Sequence, residues 1–221
     1  MAYDAVVFDN DGVLTHLTDW DLIRGAIRET FAEFGVDPHD EHVEDALRGE
    51  PERLYWLADH HGFDPDRFWA RREAHAAAAQ RDAMVSGNKP LYDDCAVLPQ
   101  LRARHDLPLG VVSNNQHETI QHVLEVHGVA ELFDTAYGRE PTFDGARRKK
   151  PDPHYLNRAL ADLDVEPATT LYVGDSDSDV LAAHNAGVDS AFLRRPHRHG
   201  YDLDVEPTHE ITSLRELPAL L

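Results

Sequence analysis

The stretch Ala5-Val6-Val7-Phe8-Asp9-Asn10-Asp11-Gly12-Val13-Leu14 decides the fold of this 221-residue chain. Its apolar start, with two β-branched valines, is typical of a buried strand, which we predict over residues 4–8. Two carboxylates, Asp9 and Asp11, follow at once, and Gly12 lets the chain turn. Open α/β sheets bind their ligands at the carboxyl ends of strands. We therefore expect Asp9 and Asp11 to lie at the functional edge of a parallel sheet.

Predicted strands and helices alternate through the second half of the chain. Helical patterns cover residues 94–104, 118–127, 153–163 and 177–186, and strand-like runs cover 107–112, 133–137, 170–173 and 190–193, with a loop at 142–150 and a last strand and short helix within 209–221. Such alternation is typical of parallel strands joined by crossover helices. The sequence therefore predicts an α/β fold with a doubly wound parallel sheet.

The interval between the first and second strands has a different character. It contains no strand-like run, and its apolar periodicity predicts helices at about 19–35, 41–48, 51–61 and 65–84. We therefore predict an all-helical domain at 16–90, inserted after the first strand of a core formed by 1–15 and 91–221. Its tryptophans, Trp20, Trp56 and Trp69, stand at helical positions and are expected to pack inside the insertion.

Acidic residues dominate the charge of the chain. It has 41 Asp and Glu residues against 21 Lys and Arg, a formal net charge of −20, and three of the bases are lysines. This charge repels nucleic acids and anionic membranes, so we expect neither as a partner. Dispersed acids with few lysines resemble proteins from cells of high internal salt, where added ions screen self-repulsion. We therefore expect an acidic, halophilic protein.

Membrane spans, signal peptides and disulfides each leave a signal in the sequence that bears on where the protein is located. No apolar run approaches the length of a membrane span. The start Met1-Ala2-Tyr3-Asp4 has no basic region before its short apolar run, so it does not read as a signal peptide. The single cysteine, Cys95, cannot form an internal disulfide. We predict a cytoplasmic protein, and the sequence leaves the oligomeric state open.

The chain has 15 histidines, which invite a metal-site interpretation. The densest groups, His60-His61 and His197-Arg198-His199, have no carboxylate or cysteine partner at a recognisable metal-site spacing. We interpret both groups as surface residues.

Polar side chains stand at the ends of several predicted strands. They are, in chain order, Asp9 and Asp11 after the first strand, Ser113 and Asn114 after the second, Lys149 and Lys150 before a helix, and Asp175 to Asp179 after the fourth strand. The strand ends of a parallel sheet point the same way, so these groups are expected to converge on one crevice. Their joint placement is hard to explain as a set of solvated loops.

The acids at this crevice predict a magnesium site. Crowded carboxylates resist ionisation unless a cation neutralises them, and a few oxygen ligands suit Mg²⁺, with Asp9 and Asp175 as the natural pair. A lysine, a serine hydroxyl and the amides of a helix start favour a phosphate group there. A carboxylate aimed at phosphorus permits catalysis through an aspartyl-phosphate. The second acid, Asp11, can protonate the leaving group and then activate water.

Four of these segments resemble the motifs of the haloacid dehalogenase-like (HAD) superfamily. They are Asp9-Asn10-Asp11-Gly12-Val13-Leu14, Val112-Ser113-Asn114, Lys150-Pro151-Asp152-Pro153 and Gly174-Asp175-Ser176-Asp177-Ser178-Asp179, in the family's order. The helical insertion between the first two motifs resembles the cap of the phosphoglycolate phosphatase and β-phosphoglucomutase branch. The resemblance implies a Rossmann-like core, Mg²⁺ and an aspartate nucleophile.

The resemblance also implies roles for individual residues. Asp9 would be the nucleophile and a metal ligand, and Asp11 the general acid/base, with its backbone carbonyl on the metal. Asp175 would ligate Mg²⁺, and Asp179 would support the metal directly or through water. Ser113 and Lys150 would hold the transferring phosphoryl group. Further predicted substrate contacts are Gly12, Asn114 and, in the insertion, Arg48 and Arg53.

Together, these expectations predict a Mg²⁺-dependent phosphatase that hydrolyses a small soluble phosphomonoester through an aspartyl-phosphate. A sugar phosphomutase, such as a β-phosphoglucomutase, is an alternative that the core motifs do not exclude. A 2-haloacid dehalogenase also uses an aspartate nucleophile, but it needs neither Mg²⁺ nor a second acid at the position of Asp11. A non-catalytic binding or regulatory module is the remaining alternative, against which the complete set of acids, serine and lysine argues.

Overall fold

A computed structural model describes residues 3–49, 51–105 and 107–221. Six strands form one parallel sheet in the order β3-β2-β1-β4-β5-β6. The strands are β1 (Ala5–Phe8), β2 (Leu109–Gln116), β3 (Thr135–Arg139), β4 (Thr170–Gly174), β5 (Asp189–Leu193) and β6 (His209–Ile211). The predicted doubly wound α/β sheet is confirmed.

The first strand lies at the centre of the sheet because its residues can be buried on both faces. All four residues of β1 are fully buried, between β2 on one side and β4 on the other. Val6 and Phe8 point into one hydrophobic cluster, and Val7 points into the cluster on the opposite face. Side chains alternate along a strand, so a continuous apolar run fits a sheet covered by helices on both sides.

The helices that follow the core strands agree in part with the sequence predictions. They are α5 (Leu98–His105), α6 (His117–Val126), α7 (Phe143–Arg147), α8 (His154–Leu163) and α9 (Asp177–Ala186). The helix predicted over 94–104 begins instead as a 3₁₀ helix, Asp93–Val97. The predicted loop at 142–150 contains α7, which Thr142 caps by accepting a hydrogen bond from the Gly145 N–H (3.0 Å).

The interval between β1 and β2 is helical throughout its described residues. It contains α1 (Trp20–Glu33), α2 (Asp40–Arg48), α3 (Pro51–His61) and α4 (Pro65–Val85), which share a hydrophobic cluster that also includes Phe143 of α7. The chain leaves and returns side by side, because Thr15 bridges Leu91 and the His16 N–H donates to the Pro90 carbonyl (3.1 Å). On these contacts we propose the division into a helical domain at 16–90 and a core of 1–15 and 91–221.

The tryptophans of the helical domain do not share one environment. Trp69 is 2 % exposed and packs as predicted, whereas Trp20 is 61 % and Trp56 56 % exposed. The packing prediction is therefore wrong for two of the three, because helical spacing places a residue on a face without showing what covers that face. Among the residues that the structure describes, none of the helices combines the length and apolar character that a membrane crossing needs.

Candidate active site

Three carboxylates meet at the carboxyl ends of β1 and β4. Asp9 directly follows β1, Asp175 directly follows β4, and Asp179 lies in the first turn of α9. Oxygens of the three side chains all lie within 4.8 Å of one another, and the residues are 7 %, 3 % and 1 % exposed. The sheet thus brings together acids from opposite ends of the sequence and removes them from water.

Burial dominates the electrostatics of Asp9. It raises the pKa of this carboxyl from 3.8 to about 7; the Lys150 ammonium opposes that rise, and the Asp179 and Asp175 charges add to it. Lys150 Nζ lies 2.8 Å from Asp9 Oδ1 and forms an ion pair with it. Two cations, Lys150 on Asp9 and Asp179 and Arg198 on Asp175, therefore leave the three acids with excess negative charge.

Lys150 is fixed from several sides. Its Nζ donates to Asp179 Oδ1 (2.5 Å), the Tyr172 hydroxyl (2.8 Å) and the Val112 carbonyl (3.3 Å). Burial acts to lower the pKa of Lys150, but the Asp179 and Asp9 charges outweigh it and raise the pKa well above its usual value. Lys150 is therefore a permanent, immobile positive charge beside Asp9.

Asn114, predicted as a substrate contact, holds the backbone of Lys150. Its Oδ1 accepts from the Lys150 N–H (2.7 Å), and its Nδ2 donates to the Lys150 carbonyl (3.2 Å). The oxygen and the nitrogen of the side-chain amide are thus both engaged with the protein, although Asn114 also lines the cavity described below. This geometry favours a positioning role for Asn114.

Ser113 of β2 contributes a hydroxyl group to the site. It is 2 % exposed, it lines the cavity, and its Oγ accepts from the Asn115 N–H (3.2 Å). β2 runs on to Gln116 rather than ending at Val112, so Ser113 lies within the strand and Gln116 precedes α6 as its N-cap. The hydroxyl hydrogen of Ser113 has no acceptor in the described structure and can donate to a bound group.

Asp175 is accessible to the site because Gly12 has no side chain. A Cβ on Gly12 would lie 2.4 Å from Asp175 Oδ2, and Gly12 has a φ of +82°. The same oxygen accepts from Arg198 Nε (3.1 Å) and lies 2.7 Å from His197 Nε2. His197 and Arg198 lie at the surface, as predicted, but they also contact Asp175, because the loop after β5 folds back onto it.

Asp179 has its oxygens occupied by protein donors. Oδ2 accepts from the N–H groups of Asp175 (3.1 Å) and Ser176 (3.0 Å) and from the Ser176 hydroxyl (2.6 Å), and Oδ1 accepts from Lys150 (2.5 Å). The bond from the Ser176 N–H is one half of the capping box of α9. Asp179 is thereby suited to orienting Asp175 and Lys150.

Asp11 points to a different set of partners. Its Oδ1 accepts from Lys89 Nζ (2.5 Å) and Thr18 Oγ1 (2.7 Å), and its Oδ2 accepts from Asn115 Nδ2 (2.8 Å). Burial acts to raise the pKa of Asp11, but the charge and hydrogen bond of Lys89 outweigh it and lower the pKa. Gln80, from α4, also accepts from Lys89 (2.9 Å), so the network joins Asp11 to the helical domain.

A cavity of about 460 Å³ opens above these groups, between the sheet edge and the helical domain. Asp9, Asp11, Asp175 and Lys150 line it, as do side chains of α1, α2 and α4. Of the two arginines predicted as substrate contacts, Arg48 lines the cavity, whereas Arg53 is exposed in α3 and is not among the lining residues. A volume of this size fits a small molecule.

The donor set fits a divalent metal ion. Three buried carboxylates converge within 4.8 Å of one another, and carboxylate oxygens are the ligands that hard divalent cations prefer. Burying like charges together is costly unless a cation compensates them. The structure thus supports metal binding by this cluster on the chemistry of its donors.

Sequence reasoning missed much of the surroundings of the site. The missed residues are Thr18, Gln80, Lys89 and Asn115 around Asp11, His197 and Arg198 around Asp175, and Trp69, Arg72 and Arg139 on the cavity wall. Lys89 had a usable signal, being one of three lysines in the chain. The other missed residues come together only through tertiary packing.

Comparisons with known proteins agree with this geometry. A family model described as a haloacid dehalogenase-like hydrolase matches residues 3–187. The chain is also similar to a phosphoglycolate phosphatase of Vibrio vulnificus (strain YJ016), with 35 % identity over 135 residues, which are 60 % of this chain and 58 % of that protein. The alignment thus spans less than two thirds of the Vibrio protein.

Two further similarities extend over more of the chain. The pyrophosphatase PpaX of Oceanobacillus iheyensis is 27 % identical over 195 residues, which are 86 % of this chain and 83 % of that protein. The structure of CbbY from Rhodobacter sphaeroides in complex with phosphate is 25 % identical, with a TM-score of 0.67 and coverage of 97 % of this chain and 96 % of that chain. The predicted family resemblance and enzyme class are thereby confirmed.

Proposed function

Because the chain belongs to the haloacid dehalogenase-like hydrolases, we propose that it is a Mg²⁺-dependent phosphatase that hydrolyses a small soluble phosphomonoester through an aspartyl-phosphate on Asp9. The observation that carries this proposal is Lys150, which lies buried between Asp9 and Asp179 with its Nζ 2.8 Å from Asp9 Oδ1. A fixed ammonium beside a carboxylate at a cavity suits a phosphoryl group, which carries charge on several oxygens.

In the first step, an Asp9 carboxylate oxygen forms a bond to phosphorus while the bond from phosphorus to the leaving oxygen breaks. The leaving oxygen takes a proton from Asp11, which therefore has to be protonated when the substrate binds, although Lys89 lowers its pKa in the free protein. In the second step, Asp11 takes a proton from water, the water oxygen attacks phosphorus, and the bond from phosphorus to Asp9 breaks. Inorganic phosphate and the starting carboxylate result, so atoms and charge balance.

The cation in this proposal is Mg²⁺. Asp9, Asp175 and the Asp11 backbone carbonyl would hold it, with Asp179 orienting Asp175 through the backbone. Bound there, Mg²⁺ supplies charge neutralisation for the phosphoryl oxygens. Lys150 and Ser113 would contact the phosphoryl oxygens, and Lys89 with Asn115 fixes the direction of the Asp11 carboxylate.

The helical domain acts as a cap in this proposal. α4 reaches the site through Gln80, whose Nε2 donates to Asn115 Oδ1 (2.9 Å) and lies 3.1 Å from Gln116 Oε1. The cavity lies between α4 and the sheet edge, so a substrate held there is shielded from bulk water. Shielding suits a step in which only the water activated by Asp11 should react.

Replacing Asp9 tests the proposal. We expect Asp9→Asn to reduce phosphate release from p-nitrophenyl phosphate in Mg²⁺ to background, because the amide is not a nucleophile, with an unchanged circular dichroism spectrum. Asp4→Asn is the matched control, an exposed acid just before the same strand. EDTA should abolish the activity of the unmodified enzyme, and added Mg²⁺ should restore it. Activity retained by Asp9→Asn would remove Asp9 as the nucleophile, and indifference to EDTA would favour a dehalogenase.

A further inference from the structure

The cavity has an apolar stretch of lining beside Asp11. It consists of Leu17, Trp20 and Ile23, from the segment that follows β1, and Leu47 of α2, which we call the apolar wall. Ile23 and Leu47 belong to the hydrophobic cluster of the helical domain, so this core backs the apolar wall. Leu17 and Trp20 are 48 % and 61 % exposed. A large part of both side chains is therefore open to a ligand.

The apolar wall lies on the leaving-group side of the site. Thr18 Oγ1, in the same segment, donates to Asp11 Oδ1 (2.7 Å), so the chain passes beside the acid/base. In the proposed mechanism Asp11 protonates the leaving oxygen, whereas Lys150 contacts the phosphoryl group. A substrate that reaches past Asp11 does so with its leaving group, which then meets Leu17 and Trp20.

Trp20 has no polar or aromatic partner among the residues that the structure describes. Trp69 stacks on Phe143, with ring centres 5.0 Å apart, and Trp56 is stacked in the same way on His60 at 5.2 Å. Trp20 makes no hydrogen bond, ring contact or cation–π contact in the described structure. Large apolar side chains exposed together in a cleft are typical of a binding site. The indole of Trp20 is therefore available to cover a ligand.

The start of α1 fixes the position of Trp20. Trp20 is the first residue of this helix, and Asp19 caps the helix by accepting a hydrogen bond from the Asp21 N–H (2.9 Å). Helical side chains lean toward the N-terminal end of their helix, which here is the end where the chain leaves the core. An indole has few side-chain torsions, so holding it against a ligand costs little conformational entropy.

The charges near the apolar wall favour a neutral leaving group. The described lining residues between Asp11 and α2 carry no charge; they are Leu17, Thr18, Trp20 and Ile23. Arg48, which follows the wall in α2, pairs with Asp45 (3.7 Å). Arg72, on the α4 side of the cavity, pairs with Glu73. An apolar group gains more than a charged one beside this wall, because it removes exposed apolar surface from water.

We propose that the apolar wall binds the leaving group of the substrate, with Trp20 as a specificity-determining residue. The substrate class is then a phosphomonoester of an alcohol that carries a flat apolar ring, because such a ring stacks on an exposed indole. A leaving group seated there also covers the mouth of the cavity and keeps bulk water from Asp11. This inference rests on the proposed function, because it takes the phosphoryl group to lie at Asp9 and the leaving oxygen at Asp11.

Three phosphomonoesters that differ in their leaving group test this inference. They are ethyl phosphate, 2-phenylethyl phosphate and 2-phosphoglycolate. The first two are esters of primary alcohols, so their leaving oxygens differ little in acidity and the ring is the main difference. We expect kcat/KM for 2-phenylethyl phosphate to exceed that for ethyl phosphate by about tenfold or more, as burial of a ring face provides. Equal values for these two, or a higher value for 2-phosphoglycolate than for 2-phenylethyl phosphate, would overturn the inference.

Trp20→Ala removes the indole, whereas Trp20→Phe keeps an aromatic ring. We expect Trp20→Ala to lower the ratio of kcat/KM between 2-phenylethyl phosphate and ethyl phosphate by about tenfold, and Trp20→Phe to keep at least about a third of that ratio. Loss of folded enzyme lowers both rates alike, so the ratio reports on the contact itself. Trp56→Ala is the matched control, since Trp56 is 56 % exposed and is not among the cavity-lining residues. A ratio that is unchanged in Trp20→Ala, or that falls equally in Trp56→Ala, would contradict the assignment of Trp20.

Binding of phosphonates separates this inference from the proposed function. Calorimetry with 2-phenylethylphosphonate and ethylphosphonate in Mg²⁺ reports on the ring without any turnover. Tighter binding of 2-phenylethylphosphonate that Trp20→Ala weakens, in a protein that hydrolyses no phosphomonoester, would support the apolar wall as a binding site and reject the phosphatase. Phosphate hydrolysis with equal binding of the two phosphonates would retain the phosphatase and reject the role of the apolar wall.

Discussion

Gly12 shows what a single residue contributes to the site. It combines a φ of +82° with a position where a Cβ would come 2.4 Å from Asp175 Oδ2. A side chain there is strained by the left-handed backbone and also displaces a proposed metal ligand. Gly12, predicted as a substrate contact, therefore acts in our account mainly by leaving room for Asp175.

We expect Gly12→Ala to lower the phosphatase rate by about 100-fold, because displacing a catalytic group by about 1 Å has an effect of that size. Gly35→Ala is the matched control: its φ is +71°, but nothing lies within 4 Å of its Cβ. Both substitutions should lower the free energy of unfolding by about 1–2 kcal/mol through backbone strain, measured by urea denaturation. If Gly35→Ala reduced the rate as much as Gly12→Ala, proximity to Asp175 would not be the cause.

The residues of the site differ in how far the sequence could predict them. Asp9, Asp175 and Lys150 stand in short motifs at the ends of predicted elements, so their convergence follows from the parallel sheet alone. The partner of Asp11 could not be found in this way. Lys89 contacts Asp11 because the segments that enter and leave the helical domain run side by side at Thr15 and Leu91. That arrangement depends on how the helical domain packs.

At the scale of secondary-structure elements, the periodicity of apolar residues predicted the helices and the apolar parts of the strands. It failed where a strand continues into polar residues, as β2 does. β2 continues to Gln116 because Gln116 pairs with Arg139 of β3 after a shift of register. A polar Ser-Asn-Asn-Gln run carries no apolar signal, so sequence reasoning ended the strand at Val112. The end of β2 is therefore determined by its pairing with β3, which the pattern of apolar residues does not show.

One buried ion pair ties distant elements of the core together and predicts a pH dependence. Asp94 lies in the 3₁₀ helix Asp93–Val97. Its carboxylate accepts hydrogen bonds from Arg195 Nη1 (2.8 Å) and Nη2 (3.0 Å). It also accepts from Ser213 Oγ and from the Leu214 N–H (both 2.9 Å). Burial acts to raise the pKa of Asp94, but these hydrogen bonds outweigh it and lower the pKa below 3.8. The stabilisation is therefore present above pH about 4 and is lost as the pH falls through the lowered pKa.

We expect Asp94→Asn to lower the free energy of unfolding by about 3–5 kcal/mol at neutral pH, because it leaves Arg195 buried and uncompensated. The difference from the unmodified protein should shrink as the pH falls from about 4, where Asp94 of the unfolded chain takes up a proton, through the lowered pKa of Asp94 in the folded protein. Urea denaturation across a pH series measures this, with the exposed neighbour Asp93→Asn as control. A difference that stays constant down to the lowest pH would contradict the assignment.

At the scale of the whole molecule, positive and negative charges are unevenly distributed. The chain has a net charge of −20, yet the cavity is lined by Arg48, Arg72, Arg139, Lys149, Lys150 and Arg198 against Asp9, Asp11 and Asp175. Repulsion among surface acids opposes folding, while the basic lining attracts an anionic substrate. We propose that the protein is adapted to high salt, which screens the surface and leaves buried pairs largely intact.

We expect the melting temperature to rise by about 5 °C or more between roughly 0.1 M and 2 M KCl, which corresponds to about 2 kcal/mol for a chain of this size. The physical reason is that added ions screen the repulsion among the exposed carboxylates. Thermal melts followed by circular dichroism across a KCl series measure the effect. A melting temperature that is unchanged or falls in molar KCl would reject adaptation to high salt.

The central claim is that Asp9 carries the phosphoryl group, and direct detection of that intermediate tests it. Enzyme mixed with Mg²⁺ and a phosphomonoester, quenched within one turnover and reduced with borohydride, should contain homoserine at position 9, because borohydride reduces an acyl phosphate to an alcohol. Peptide mass spectrometry locates the modified residue, and Asp9→Asn treated identically is the control. Homoserine at position 9 that depends on substrate is the predicted result. An unmodified position 9 while phosphate is released, or homoserine at another acid, would contradict the account.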